Sequence, residues 1–203
     1  MTGVAALVLA AGRSRRMGFQ KLLLPIAGRP LVARLVDELL RTPVSPVVVV
    51  TGADEAEIAA ALAGRDHARV RNPDPDGDML SSVRCGFRAL PSDCFAVLVV
   101  PGDSPGTRAP LVRQLVEAHL RTGRSIVVPV HAGRRGHPLL VAMKHRHAIL
   151  ERYDGLGLRG LLRDHPDEID EVPVDSPDVL ANLNRPEDLA RWKATSETTS
   201  IDP

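Results

Sequence analysis

The sequence predicts an α/β fold with a mostly parallel central sheet, and three features carry that prediction. Val4-Ala5-Ala6-Leu7-Val8-Leu9, Val47-Val48-Val49-Val50 and Phe95-Ala96-Val97-Leu98-Val99-Val100 are short continuous apolar runs, the pattern of strands buried on both faces. Between the first two runs, Leu31, Val32, Leu35, Val36, Leu39 and Leu40 recur at helical spacing behind Pro30, a residue the first helical turn tolerates. The first run stops at a glycine loop and the third at Pro101-Gly102-Asp103-Ser104-Pro105. Ligands of open α/β sheets bind beyond the carboxyl ends of such strands.

Taken in order, the first run is a strand, followed by a long loop, the helix from Pro30 and the Val47 strand. Asp54 then reads as the cap of an alanine-rich helix through Leu62, which completes a βαβ unit. A short strand is expected near Ala68 to Arg71, then a Pro/Asp/Gly loop and a helix from about Met79 to Leu90. After the Phe95 strand come a helix over Leu111 to Leu120, a strand Ile126-Val127-Val128-Pro129-Val130 and the turn Gly133-Arg134-Arg135-Gly136. An extended segment Pro138 to Met143, a last strand near Glu171 to Val174 and a short helix from Pro186 follow. The sequence divides as one domain over residues 1–194 and a polar, aperiodic tail over 195–203 that is expected to be disordered.

Composition excludes several classes of function. Lys plus Arg (26) nearly balance Asp plus Glu (25), so no global field draws the chain to nucleic acid or an anionic membrane. One Trp, one Tyr and three Phe leave few platforms for stacking on single strands. Cys85 and Cys94 make no CxxC pair and read as reduced thiols. The first apolar run is too short for a signal or membrane helix, which places the protein in the cytoplasm as an expectation. His145-Arg146-His147 offers no metal site, since i and i+2 point apart on a helix, and is expected to be exposed.

Chemistry concentrates in the first loop, Leu9-Ala10-Ala11-Gly12-Arg13-Ser14-Arg15-Arg16-Met17-Gly18-Phe19-Gln20-Lys21. A triphosphate is held by loop N–H groups and fixed cations. Gly12 and Gly18 permit the close approach, and Arg13, Arg15, Arg16 and Lys21 supply the charge. Neither GxxxxGK[ST] nor GxGxxG follows this strand, so the Walker and dinucleotide motifs do not apply. Taken singly, each candidate has a plainer reading. Lys21 reads as a surface lysine, Asp103 as a turn closer, Asn184 as a helix cap and His137 as a hydrogen-bonding loop residue.

The full string Leu9-Ala10-Ala11-Gly12-x-Ser14-x-Arg16-Met17-Gly18-x-x-Lys21-Leu22-Leu23 closely resembles the signature of nucleotidyltransferases with the nucleotide-diphospho-sugar transferase fold. It looks most like the molybdenum-cofactor branch, the molybdopterin cytidylyltransferases and guanylyltransferases. Further islands extend the resemblance from Val4 to about Leu189. Asn72-Pro73-Asp74 and Gly77-Asp78-Met79-Leu80-Ser81-Ser82 resemble the family's segment near base and ribose, with Asp78 inserted. Pro101-Gly102-Asp103-Ser104-Pro105 resembles its magnesium-holding turn, and Gly133-Arg134-Arg135-Gly136-His137-Pro138 its acceptor-facing segment. Asn182-Leu183-Asn184-Arg185-Pro186 departs from the Asp-Ile-Asp-Thr-Pro of cytidylyltransferases and is closer to guanylyltransferases, whereas Ala11 stands where the latter carry glycine.

The resemblance implies a three-layer α/β/α Rossmann-like fold and transfer of a nucleoside monophosphate to a phosphorylated acceptor, molybdopterin, with release of pyrophosphate. CTP is favoured over GTP as co-substrate and Mg²⁺ is the implied metal. It implies Lys21 and Arg16 as catalytic residues. Leu9, Ala10, Ala11, Gly12, Arg13, Ser14, Gly18, Asn72, Ser81, Ser82, Gly136, His137 and Pro138 become ligand-binding residues, and Asp103 and Asn184 metal ligands. A molybdoenzyme or its chaperone is the implied protein partner. Two other readings stay open: a sugar- or polyol-phosphate nucleotidyltransferase, and a non-catalytic nucleotide-binding or cofactor-delivery protein.

Overall fold

In the computed structural model, which describes residues 3–12, 20–26, 28–74, 77–183, 187–188 and 192, the first apolar run forms β1 (Val4–Ala10), buried along its whole length. Successive side chains leave a strand on opposite faces. Val4, Ala6, Val8 and Ala10 accordingly join one apolar cluster, and Ala5, Leu7 and Leu9 join a second. A strand with no polar face belongs inside a sheet covered on both sides.

The chain continues through an antiparallel ribbon, β2 (Pro25–Ile26) and β3 (Arg29–Pro30), into α1 (Leu31–Leu40), β4 (Val47–Thr51), α2 (Glu55–Ala61), β5 (Ala68–Arg71) and α3 (Met79–Ala89). β6 (Ala96–Pro101), α4 (Ala109–Thr122), β7 (Ile126–His131), β8 (Arg134–Arg135) and β9 (Leu139–Ala142) follow, then α5 (Arg146–Glu151), α6 (Leu158–Asp164) and β10 (Ile169–Pro173). The main sheet has the order β10-β7-β9-β6-β1-β4-β5, with β8 paired to β7. Its neighbours are parallel except for β9, antiparallel to β6 and β7, and β8, antiparallel to β7. Residues of α1, α2 and α4 fill the cluster on one face, and those of α3, α5 and α6 the cluster on the other. The result is the three-layer, mostly parallel α/β architecture the sequence predicts.

β1 pairs in parallel with β4 on one side and β6 on the other. The chain winds outward from β1 to β5, then returns across β1 to lay down β6. That reversal makes the carboxyl end of β1 the topological switch point, where open sheets leave a crevice.

Several expectations are corrected. The turn assigned to Gly133–Gly136 is centred two residues earlier. Ala132 (φ 48°) and Gly133 (φ 73°) form a two-residue hairpin loop between His131 and Arg134, and Arg134–Arg135 is β8. Positive φ at both positions matches the twist of a tight hairpin. Helices α5 and α6 have no counterpart among the expected elements, because six or seven residues are too few for a helical period to stand out. Asp54 does precede α2, yet its carboxylate makes no bond to that helix; it accepts from Gln20 Nε2 at 2.5 Å instead. Asp78, the inserted residue, does cap α3, accepting from Ser81 N at 2.9 Å. Pro186 and residues 195–203 lie outside the described residues. Cys85 and Cys94 are buried free thiols, and burial pushes both thiols up. No helix among the described residues is long and apolar enough to cross a membrane.

His145 is also corrected, since it is 4% exposed rather than a surface residue, although its neighbour His147 is exposed. The Ser125 hydroxyl gives its hydrogen to Glu168 Oε2 and so accepts from His145 Nε2 at 2.8 Å. Burial, with His165 edge-on at 4.6 Å, holds the His145 imidazole below its ordinary pKa. Lys144 and Ser125 hold the Glu168 carboxyl down to about 2. Both depressed values stabilise the fold at neutral pH. As the medium falls below the ordinary imidazole value of 6.5, the unfolded chain takes up a proton that folded His145 resists. Below the ordinary carboxyl value of 4.5 Glu168 adds a second loss, which continues towards pH 2. His145→Gln is therefore expected to flatten the decline in urea midpoint between roughly pH 7 and 5; an unchanged slope contradicts the account.

Candidate functional site

Beyond β1 and β6 the two chains stay in register, Leu9 beside Pro101, and Gly102 N donates to Leu9 O at 3.0 Å. A Cβ on Gly102 would lie 2.6 Å from that same oxygen, so only glycine lets the next residue stand against the first loop. That next residue is Asp103. Its Oδ2 lies 2.6 Å from Lys21 Nζ, with the two side chains only 16% and 15% exposed. Lys21 opens a short 3₁₀ turn, Lys21–Leu23, whose entry is fixed by Gln20 Oε1 accepting from Leu22 N at 3.4 Å. A lysine and an aspartate that are 82 residues apart thus meet at the switch point.

A crevice of about 260 Å³ opens beside this pair, lined on one wall by Leu9, Ala11, Gly12 and Lys21 and on another by Gly102 and Asp103. The far wall carries Asn72, Asp74, Gly77, Asp78, Met79 and Ser82. Asn72 follows β5 and is buried. Its Nδ2 donates to Ser81 Oγ at 2.6 Å and to Ser82 Oγ at 3.1 Å, and its Oδ1 accepts from Asp74 N at 3.1 Å. The carboxamide is therefore committed to holding the start of α3 against β5. The two serine hydroxyls accept from it and keep their own hydrogens for other partners. Ala11 is held from behind: a Cβ on Gly52 would lie 2.6 Å from Ala11 O.

Gly136, His137 and Pro138 do not line this crevice. Gly136 N donates to Pro129 O of β7 and His137 N to Val179 O of a 3₁₀ turn after β10, each at 2.8 Å. A Cβ on Gly136 would lie 2.4 Å from Val179 O, which explains the glycine. Burial holds the His137 imidazole below its ordinary value; the charge of Asp103 opposes that and Arg159 adds to it. His137 thus feels the same carboxylate that faces Lys21. Leu183 N donates to Asp103 O at 3.0 Å, which brings the residues around Asn182 to the same corner.

The structure gathers Leu9, Ala11, Gly12, Lys21, Asn72, Ser82 and Asp103 around one crevice. Ala10 points into the core beneath it, and Ser81 stands behind Asn72. Arg13, Ser14, Arg16, Gly18 and Asn184 lie outside the described residues. No group of three or more His, Cys, Asp or Glu placed to hold a metal occurs among the described residues. The described metal candidate is Asp103 alone, a carboxylate already holding a cationic group, which is the hard-oxygen chemistry that suits Mg²⁺. Sequence reasoning passed over Gln20, Gly52 and Gly102. The close backbone approaches that demand the two glycines arise between strands, and nothing local in sequence announces them.

A family model described as the MobA-like NTP transferase domain matches residues 6–169. The molybdenum cofactor guanylyltransferase of Rhodobacter capsulatus is 31% identical over 197 residues, covering 93% of this chain and 94% of that protein. The molybdenum cofactor cytidylyltransferase of Escherichia coli (strain K12) is 26% identical over 197 residues, covering 95% and 97%. The bifunctional protein GlmU of Mycolicibacterium paratuberculosis is 37% identical over 135 residues, but the match spans 61% of this chain and 27% of that protein. Among solved structures, a nucleotidyl transferase from Methanothermobacter thermautotroptrophicus superposes with a TM-score of 0.83 at 27% identity, covering 97% of this chain and 99% of that one.

Proposed function

Because the chain belongs to the family of MobA-like NTP transferase domains and is an NTP-dependent nucleotidyltransferase, we propose that it transfers CMP from CTP to the phosphate of molybdopterin. The observation that carries the acceptor is coverage. The two molybdenum cofactor nucleotidyltransferases match nearly end to end, including the Gly136–Pro138 corner beside Asp103, whereas the GlmU match spans 61% of this chain. A sugar-phosphate acceptor rests on the shorter of these sequence matches. The observation that favours a pyrimidine is Ala11, which lines the crevice and puts a methyl group where the guanylyltransferases it resembles carry glycine.

In this reading an acceptor phosphate oxygen attacks the α-phosphorus and pyrophosphate leaves. A phosphate acceptor is already ionised, so positioning and charge neutralisation matter more than a strong base. Lys21 leaves Asp103 when the triphosphate arrives and bridges the α-phosphate and the attacking oxygen. Gly12, with Arg13, Ser14, Arg16 and Gly18, holds the leaving pyrophosphate by loop N–H groups and guanidinium charge. Asn72 keeps Ser81 and Ser82 in place along the base and ribose, and His137, neutral near pH 7, faces the acceptor. Asp103 and Asn184 are the residues that would hold Mg²⁺, which when bound would neutralise phosphate charge as a Lewis acid.

GTP is the second reading, favoured by the Rhodobacter relative and by Asn182 and Asn184. Equilibrium binding of the two nucleotides separates them. The parent protein is expected to bind CTP more tightly, and Ala11→Gly to shift the ratio towards GTP by about tenfold, the scale of one methyl-sized change in a pocket. Tighter GTP binding by the parent protein overturns the choice of CTP.

A further inference from the structure

We propose that Gln20 and Asp54 form a clasp that positions the first loop and Lys21 for nucleotidyl transfer; the inference rests on the role given above to Lys21. Among the described residues the carboxamide of Gln20 serves three partners. Its Nε2 donates to Gly12 O at 3.3 Å and to Asp54 Oδ2 at 2.5 Å, while its Oε1 accepts from Leu22 N at 3.4 Å. One side chain therefore ties together the two ends of the loop, Gly12 and Gln20 itself, sets the turn that begins at Lys21, and anchors both to the start of α2.

Asp54 supplies the second, independent observation. It stands at the N-cap of α2, where an aspartate ordinarily bonds its own helix N–H groups, yet it makes no such bond. The carboxylate is instead turned to Gln20, 34 residues away. A helix gives up its cap for a contact that holds a loop, which is the mark of a positioning role.

Side-chain chemistry at position 20 is narrowly defined. Glutamate cannot donate to Gly12 O and would face the Asp54 carboxylate; asparagine is a methylene too short to span Gly12 and Asp54 together; alanine removes every bond. At position 54 asparagine keeps an acceptor oxygen for Gln20, and alanine does not.

The test is a set of single and double variants of the full chain. CTP affinity is measured by titration calorimetry, transfer by pyrophosphate release, and folding by thermal melting. Gln20→Ala, Gln20→Glu and Asp54→Ala are each expected to lose about 10- to 100-fold in kcat/KM, the cost of loosened positioning, with melting temperatures within a few degrees of the parent. Asp54→Asn recovers most of the loss, and Gln20→Ala with Asp54→Ala loses little more than either alone. Because the clasp acts through Lys21, Gln20→Ala adds little to Lys21→Ala. Parent-like kinetics in Gln20→Ala, an Asp54→Asn as damaged as Asp54→Ala, or independent losses in the double variant each overturn the clasp. CTP binding needs no acceptor, so weakened affinity in the clasp variants stands even if molybdopterin is not the acceptor. A parent-like Lys21→Ala refutes the role of Lys21 itself.

Discussion

Lys21→Ala lowers kcat/KM for nucleotidyl transfer by about a thousandfold and leaves the melting temperature nearly unchanged. The magnitude is that of removing one preorganised charge from a developing phosphoryl centre. Lys21 is the described cation on the crevice wall that faces Asp103, and it reaches that carboxylate at 2.6 Å across the carboxyl ends of β1 and β6. The small stability effect follows from position. The pair borders an open crevice, so water can solvate Asp103 once the ammonium is gone, which limits the cost of leaving that carboxylate without its partner. Steady-state kinetics with a thermal melt checks both halves. Unchanged kcat/KM removes Lys21 from the chemistry, and a large fall in melting temperature makes it a structural residue.

Asp103→Ala is expected to have an effect of similar size by another route. It removes the carboxylate proposed to hold the metal and releases Lys21 from its resting partner. The rate should fall by about a thousandfold and respond weakly to added Mg²⁺, since the ion loses its anchoring oxygen. Asp103→Asn keeps one oxygen and should fall less. Combined with Lys21→Ala, the loss should be well short of the sum, because residues that act on one phosphate as a unit are not additive. A parent-like Mg²⁺ titration in Asp103→Ala contradicts the assignment.

The fold was legible where one physical signal dominated. β1, β4 and β6 are buried along their whole length and apolar but for Thr51 at the end of β4, because both faces are covered, and that pattern needs no tertiary information. α1 showed itself through a helical apolar stripe buried at Leu31, Val32, Leu35, Val36 and Leu39. α5 and α6 did not, because they are short and separated by a glycine-bearing loop. His145 was misread for a related reason: a charged triplet looks solvated, and its burial is created by Ser125 and Glu168 from other elements.

The candidate site divides in the same way. The run from Leu9 to Lys21 announces a phosphate loop through its own glycines and cations, and Asp103 follows from its place after a strand. The meeting of Lys21 with Asp103 depends on strand order, which local sequence does not encode. The clasp was hidden more deeply. Gln20 is an ordinary polar residue beside a conspicuous lysine, and Asp54 reads as a helix cap until its carboxylate is seen bonded elsewhere.

The central claim is that this nucleotidyltransferase passes CMP from CTP to molybdopterin. The most direct measurement incubates the protein with Mg²⁺, molybdopterin and each of the four triphosphates in turn and records pyrophosphate together with the mass of the product. The account predicts pyrophosphate with CTP, dependent on molybdopterin, and a molybdopterin product heavier by one cytidylyl group. Pyrophosphate release that appears only when a sugar phosphate replaces molybdopterin, or no release with any triphosphate, contradicts it.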